Sequence, residues 1–219
     1  MTSIVISSGH SKYVRGASGY LDEVDEARRV VDNVADILQS RGVSVTTFHD
    51  NTSTTQNENL ETIVDYHNDR TRDLDVSVHF NASKKTDKPM GTEVLWVTQE
   101  QLAGNVARAI ADAGDLINRG PKERTDLFFL NKTEAPSILI EVCFVDSSAD
   151  AALYRGYFDA ICSAIAGAIA PSAQPIEPDK PETGPEPIPP KPATVDITIR
   201  TDGDVTVTVN GRPVTIPAA

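Results

Sequence analysis

Two histidines and two glutamates hold the chemistry within reach of this 219-residue sequence. His10 follows the first short run of strand-forming residues, 3–7, and His79 ends another, 74–80. Glu23 stands at the start of an amphipathic stretch, and Glu141 is the one carboxylate in the apolar run 136–145. Two imidazoles and one carboxylate make a three-ligand zinc site with a fourth position for water, whose pKa falls to about 7 on the metal. A second carboxylate outside the ligand set can take that proton and pass it to a leaving nitrogen. The four residues lie far apart in the chain, so spacing alone does not bring them together.

Each also has a structural reading. The run 136–145 is apolar at both parities, as in a central strand covered on both faces. An ionised carboxylate there costs roughly several kcal/mol unless a cation or hydrogen-bond donors meet it. Glu141 is therefore either a buried acid paired with Arg or Lys, or a catalytic carboxylate at the end of a core strand. Glu23 suits the positive end of a helix dipole, a place that Asp22, Asp25 or Glu26 would fill equally well. His79 reads equally as a core histidine bonded to a backbone carbonyl. His49, beside Asp50, and His67, at helical spacing among apolar residues, read as packed or half-exposed side chains rather than ligands.

These residues need elements to hold them. Residues 22–40 place Val24, Ala27, Val30, Val31, Val34, Ala35, Ile37 and Leu38 on one helical face, closed by Gly42 after Arg41. Residues 43–48 read as a second strand, 50–59 as a polar loop, and 60–70 as a helix with Leu60, Ile63, Val64 and His67 on one side. In the strand 74–80, Val76, Val78 and Phe80 share one face, and Ser77 and His79 the other. Residues 91–97, with the only tryptophan, Trp96, are a fourth strand. A helix over 99–117 is expected to turn Leu102, Val106, Ala109, Ile110 and Ala113 inward. A polar loop, 118–126, and a short apolar run, 127–130, lead to the Glu141 strand. A last helix, 148–170, turns Leu153, Phe158, Ile161, Ile165 and Ile169 inward. Alternating strands and helices predict a three-layer α/β domain over 1–170, with a central twisted mixed sheet flanked by helices. A histidine just past an opening strand lies at the sheet edge where such folds put their sites.

Composition then changes. Nine of the 14 prolines fall in 171–192, so 171–193 reads as an acidic, semi-stiff linker. Residues 194–219 alternate Val195, Ile197, Ile199, then Val205, Val207, Val209, then Val214, Ile216. Asp202-Gly203 and Asn210-Gly211 fall between the runs, predicting a small three-stranded meander. A piece this small is not secure alone and must dock, self-associate or bind something.

Bulk properties exclude several classes. A net charge of -12 argues against nucleic acid as a partner. No stretch approaches the roughly 18 to 20 apolar residues of a membrane span. The N-terminal residues show no basic region followed by a long apolar one, so no secretory signal and cytoplasmic synthesis are expected. Cys143 and Cys162 sit in apolar segments without metal-ligand spacing and read as reduced core residues.

Four blocks, in this order and spacing, resemble the zinc-dependent N-acetylmuramoyl-L-alanine amidases of bacterial cell-wall amidases and phage endolysins. They are Ser7-Ser8-Gly9-His10 with Gly16-Ala17, Glu23 opening a helix, Ser77-Val78-His79-Phe80-Asn81-Ala82, and the run 136–144 with Glu141. The resemblance covers about residues 3–169, and the block around His79 is its most specific part. It implies one zinc ion per chain on His10, Glu23 and His79, with Glu141 as general base and later acid; Glu26, one turn after Glu23, is the rival that family spacing disfavours. The implied reaction is hydrolysis of the amide between N-acetylmuramic acid and L-alanine of the peptidoglycan stem peptide. With no secretory signal, it further implies a phage-type endolysin that acts on the cell wall after release. Two departures stand out: Ser11-Lys12-Tyr13-Val14-Arg15 replaces the usual glycine-rich stretch, so that loop's substrate contacts are not carried over, and Asp146 stands where many relatives have Asn. The competing readings are a zinc peptidase of stem or bridge peptides and a non-catalytic wall-binding protein. For the C-terminal meander, which has no aromatic residue for stacking on sugars, the expectation is self-association into a homo-oligomer, with wall binding the alternative.

Overall fold

The computed structural model describes residues 2–171 and three strands at 195–199, 205–209 and 212–216. The chain divides into two compact units, Met1–Ile176 and Glu177–Ala219.

In the first unit the chain runs β1 (Ser3–Ser8), α1 (Glu23–Ser40), β2 (Ser44–Phe48), α2 (Gln56–Asn68), β3 (Leu74–Asn81), β4 (Thr92–Trp96), α3 (Glu100–Gly114), β5 (Asn118–Glu123), α4 (Phe128–Lys132), β6 (Ser137–Phe144), α5 (Ser148–Gly156) and α6 (Phe158–Ile169). The strands form one six-stranded sheet in the order β2-β1-β3-β6-β4-β5. The first four in that order are parallel, β4 runs antiparallel to β6, and β5 is parallel to β4. The sheet is thus mixed, as expected, and its central strands β3 and β6 are buried along most of their length.

Apolar residues fill both faces unequally. On one face, Ile4, Ile6, Val76, Val78, Ile138 and Ile140 belong to a large core with the inward sides of α1, α3 and α6. On the other, Leu95 and Leu139 join Ile63 and Val64 of α2 and Phe129 and Leu130 of α4 in a smaller cluster. Helices on both faces give the third layer.

Several expectations needed correction. Helix α2 begins four residues before Leu60, in what reads as loop. Its first turn is polar, but Thr55 and Glu58 form a capping box that starts it without apolar help. Helix α3 presents Ala103, Val106, Ala107, Ile110, Ala111 and Gly114 inward, while Leu102, Ala109 and Ala113 are half-buried, so its buried face is turned from the expected one. The polar loop 118–126 contains β5, an edge strand whose side chains are mostly exposed and so carry no apolar alternation. The apolar run 127–130 enters the short helix α4. The single helix expected over 148–170 is two. Tyr157 (φ -117, ψ 19) ends α5 and opens α6, directly after Gly156, whose lack of a side chain weakens the helix there. The break lets Tyr154 bury itself edge-on against Phe80 while Ile161, Ile165 and Ile169 of α6 reach the core.

The second unit contains an antiparallel meander, β7 (Val195–Ile199), β8 (Val205–Val209) and β9 (Arg212–Ile216). Its register aligns Ile199, Val205 and Ile216 across the three strands, and Ile197, Val207 and Val214 beside them. The linker expected over 171–193 lies, beyond 171, outside the described residues, as do the two glycine turns. No helix of the described residues is long and apolar enough to cross a membrane.

Candidate metal centre and active site

Strand β1 stops at Ser8, but Gly9 N–H still donates to Val78 of β3 (2.9 Å), so His10 emerges beside the C-terminal end of β3. That end carries His79. The two imidazole centroids lie 5.1 Å apart, edge to face. Glu23 reaches them from the first turn of α1, whose start is fixed by Asp22 as N-cap and by Arg15, which pairs with Asp22 (2.7 Å) and Asp25 (2.6 Å). Arg15 belongs to the loop that departs from the family pattern.

One carboxylate oxygen of Glu23, Oε1, sits 3.2 Å from His10 Nε2 and 3.0 Å from His79 Nδ1. Backbone donors orient the carboxylate: Phe80 N–H to Oε1 (3.1 Å) and Ala17 N–H to Oε2 (2.7 Å), while Glu23 N–H returns a bond to the Ala17 carbonyl (3.0 Å). Burial pushes the Glu23 pKa up, but the hydrogen bonds to His10 and His79 outweigh it and hold the carboxyl well below its usual range. Burial lowers the His79 pKa against the opposing pull of Glu23, and the net fall favours the neutral imidazole that ligates metals. Glu26 is engaged elsewhere, accepting from Tyr154 Oη at 2.9 Å.

A metal ion fits this donor set. One ligand atom from each of His10, Glu23 and His79 lies within 4.8 Å of the others, and two imidazoles with a carboxylate suit zinc. His10 Nδ1 is buried without a hydrogen-bond partner. Two glycines keep the space clear. A Cβ at Gly9 would stand 1.9 Å from the His79 ring, and one at Gly16 would stand 2.4 Å from Glu23 Oε2 and 2.6 Å from His10 Nε2. Gly16 also has φ +68, a conformation that side-chain-bearing residues rarely adopt.

Glu141 comes to the same place through strand pairing. Parallel β3 and β6 set Glu141 directly opposite His79, and the register then slips, pairing Asn81 with Phe144. Bulges of this kind often re-aim side chains beside active sites. On its other side Glu141 faces Glu93 of β4. Glu93 accepts from Asn81 Nδ2 (2.8 Å) and pairs with Arg119 Nε (2.7 Å). Glu141 Oε2 is buried and has no partner. Burial, reinforced by Glu23 and Glu93 and opposed by Arg124, pushes the Glu141 pKa up to about 8. The buried-acid reading requires an Arg or Lys against this carboxylate, and among the described residues none bonds to it. Glu93 was not anticipated, since only the β4–β6 register relates it to position 141.

The remaining histidines lie elsewhere. His67 is fully buried, bonded to Asp75 (Nδ1, 2.7 Å) and Ser7 (Nε2, 3.0 Å), and Arg72 grips the same Asp75 (2.8 Å). His49 bridges Ser8 Oγ and Asp32, 3.0 Å from each. Asp146 accepts from Ser83 N–H (2.7 Å), and its carbonyl accepts from Thr86 N–H (2.9 Å), tying the turn after β6 to the loop after β3. Cys143 and Cys162 are buried free thiols.

Comparison with known proteins adds to this geometry. Residues 4–171 match the family model described as N-acetylmuramoyl-L-alanine amidase. The chain is 35% identical over 158 residues to an uncharacterized 38.4 kDa protein of Clostridium perfringens, a match covering 69% of this chain and 46% of that protein. A second uncharacterized protein of that species is 30% identical over the same length, so the chain spans about half the length of the curated relatives it matches. Among solved structures, the catalytic domain of the CD27L endolysin, targeting Clostridia Difficile, superposes with a TM-score of 0.71 at 24% identity, covering 78% of this chain and 98% of that domain. An N-acetylmuramoyl-L-alanine amidase of Nostoc punctiforme superposes with a TM-score of 0.66 at 27% identity, covering 78% and 96%.

Proposed function

The chain belongs to the N-acetylmuramoyl-L-alanine amidase family, and from that premise we propose that residues 1–170 form the catalytic unit of a zinc-dependent peptidoglycan amidase. His10, Glu23 and His79 hold one zinc ion, which supplies Lewis acidity toward the scissile carbonyl and toward water. Phe80 and Ala17 N–H groups keep the Glu23 carboxylate turned toward the two imidazoles. Gly9 and Gly16 keep the approach free of side chains. Glu141 takes a proton from the attacking water and returns it to the alanine nitrogen as the amide bond breaks. In the metal-free site burial and the neighbouring Glu23 and Glu93 favour the protonated carboxyl, and a bound cation would favour the carboxylate that accepts the proton.

The observation that carries this reading is Glu141, opposite His79 in the β3–β6 register with an unpartnered buried oxygen. A non-catalytic wall binder has no use for that oxygen. The rival enzyme reading, a zinc peptidase, uses the same residues and differs in the bond cut. Purified cell walls incubated with the zinc-loaded protein should lose turbidity and release stem peptides that begin with L-alanine. New amino termini from glycine or D-alanine would assign it instead to the peptidases, and intact walls would leave only the binding reading.

Site and substrate together put the action at the cell wall. For residues 194–219 the reading is an accessory element, joined by the proline-rich linker 171–193, that self-associates through its Val and Ile residues. Light scattering should then give an oligomer for the whole chain and a monomer for residues 1–170. A monomeric whole chain whose isolated tail sediments with cell walls would make wall binding its role.

A further inference from the structure

Beside the two histidines the sheet surface opens into a small apolar cavity of about 130 Å³. His10 and His79 line it together with Leu60 of α2, Phe128 and Phe129 of α4 and Leu139 of β6, and two polar residues of α2, Gln56 and Asn59, also border it. Leu139 and Phe129 are buried members of the smaller core cluster, whereas Leu60 and Phe128 are only half-buried. Glu23 and Glu141 are not among its lining residues.

Its position relates it to one part of the substrate. Leu139 lies two residues before Glu141 and therefore on the same face of β6. If Glu141 delivers a proton to the leaving nitrogen, the substituent on the carbon bonded to that nitrogen is the group led along this face into the cavity. A mainly apolar lining disfavours charged or strongly polar groups, which would lose hydration with little replacement. A roughly 150 Å³ apolar protein cavity holds a benzene molecule. The space here is therefore too small for a sugar ring with its hydroxyls and larger than a methyl group needs.

We propose that this cavity is the subsite for the aliphatic side chain of the amino acid whose nitrogen leaves, that Leu60 and Phe128 set its size, and that it admits branched side chains as well as the methyl of alanine. The proposal rests on the amidase reading above. One missing methyl in an apolar pocket changes kcat/KM by about 10-fold or more.

The test is a series of soluble muramoyl peptides, differing only in the first amino acid, hydrolysed by the zinc-loaded whole chain. Glycine should lower kcat/KM on the order of 10-fold relative to alanine, valine should match or exceed alanine, and aspartate should be poorest. Leu60→Trp should penalise valine more than glycine, and Phe128→Ala should shift the preference toward larger side chains. The wild-type series decides the question by itself if either variant fails to fold. Equal kcat/KM across the series, with alanine hydrolysed normally, overturns the pocket and leaves the amidase reading intact. A drop that follows removal of the lactyl methyl instead would give the cavity to the sugar side and overturn the proposal. Hydrolysis of no member would overturn both readings.

Discussion

Asp75 and Glu141 are the same kind of residue in the same kind of place: one carboxylate each in neighbouring, parallel, buried strands. Their surroundings are opposite. Asp75 is completely buried and saturated, with Arg72 clasping both oxygens and His67 bonded to one, and His67 passes the chain of bonds on to Ser7. Glu141 has a buried oxygen with no partner and two further carboxylates, Glu23 and Glu93, acting on it. The pair separates two uses of a buried acid. Where the oxygens are met by donors, the group fixes three elements to one another; where one is left open, in the C-terminal half of the strand and beside a histidine pair, the group is free to react.

The sharpest way to break that contrast is at the metal. His79→Ala removes one of the three proposed ligands and should abolish zinc binding and wall lysis while leaving a cooperatively folded chain, read by metal analysis alongside thermal unfolding. Full zinc occupancy with full activity would remove His79 from the ligand set. Glu141→Gln should keep zinc and the fold but lose activity by on the order of 100- to 10,000-fold, because the amide cannot accept the proton. If the variant fails to fold, Glu141 belongs with Asp75 after all.

Asp75→Ala tests the other half. It strands the Arg72 guanidinium, only 6% exposed, and should cost about 3–5 kcal/mol in denaturant unfolding, with little change in kcat per folded molecule. A stable variant with a collapsed kcat would tie Asp75 to the chemistry. The pH dependence of stability sharpens the contrast further. In metal-free protein the Glu141 pKa rises from 4.5 to about 8, so its contribution is fully present below the unfolded value and is lost as pH rises through the folded one. Glu141→Gln should therefore match the wild type near about pH 4 and become progressively the more stable of the two up to about pH 8. A constant difference across that window contradicts the shift. The smallest effect belongs to Thr55→Ala, which removes half of the capping box of the helix that carries His67 and should cost about 1 kcal/mol by thermal unfolding. No measurable loss would mean that tertiary packing alone holds that helix start.

The reasoning that picked out Glu141 from the sequence, a charge in an apolar strand, applies with equal force to Asp75, where it went unused. What distinguishes them is that Asp75 has Arg72 three residues before it and His67 eight before it, a nearby cation that the sequence did offer. The His67–Ser7 bond, by contrast, joins residues 60 apart, and no local pattern encodes it. The layered α/β architecture was legible because the core helices and strands repeat apolar residues at their own periods. The edge strand β5 was not, since a strand exposed along its length has no alternation to read. The break at Tyr157 was hidden because α5 and α6 continue one apolar pattern across it, although Gly156 marked the place. His10, Glu23 and His79 could be named singly, as could Glu141, but their convergence is a property of the sheet, which lays the ends of β1, β3 and β6 side by side.

The register that pairs His79 with Glu141 also decides which changes of length the chain can tolerate. Backbone hydrogen bonds between β3 and β6 set the separation of these two side chains, and the connecting loops have no part in it. The exposed lysines Lys84 and Lys85 mark a loop tip between β3 and β4 where residues can be inserted with the reacting pair kept in place. One residue added inside β6 before Glu141 would instead turn its carboxylate to the opposite face of the sheet. Longer loops can therefore be grafted at the first position, while the second is closed to a single-residue insertion.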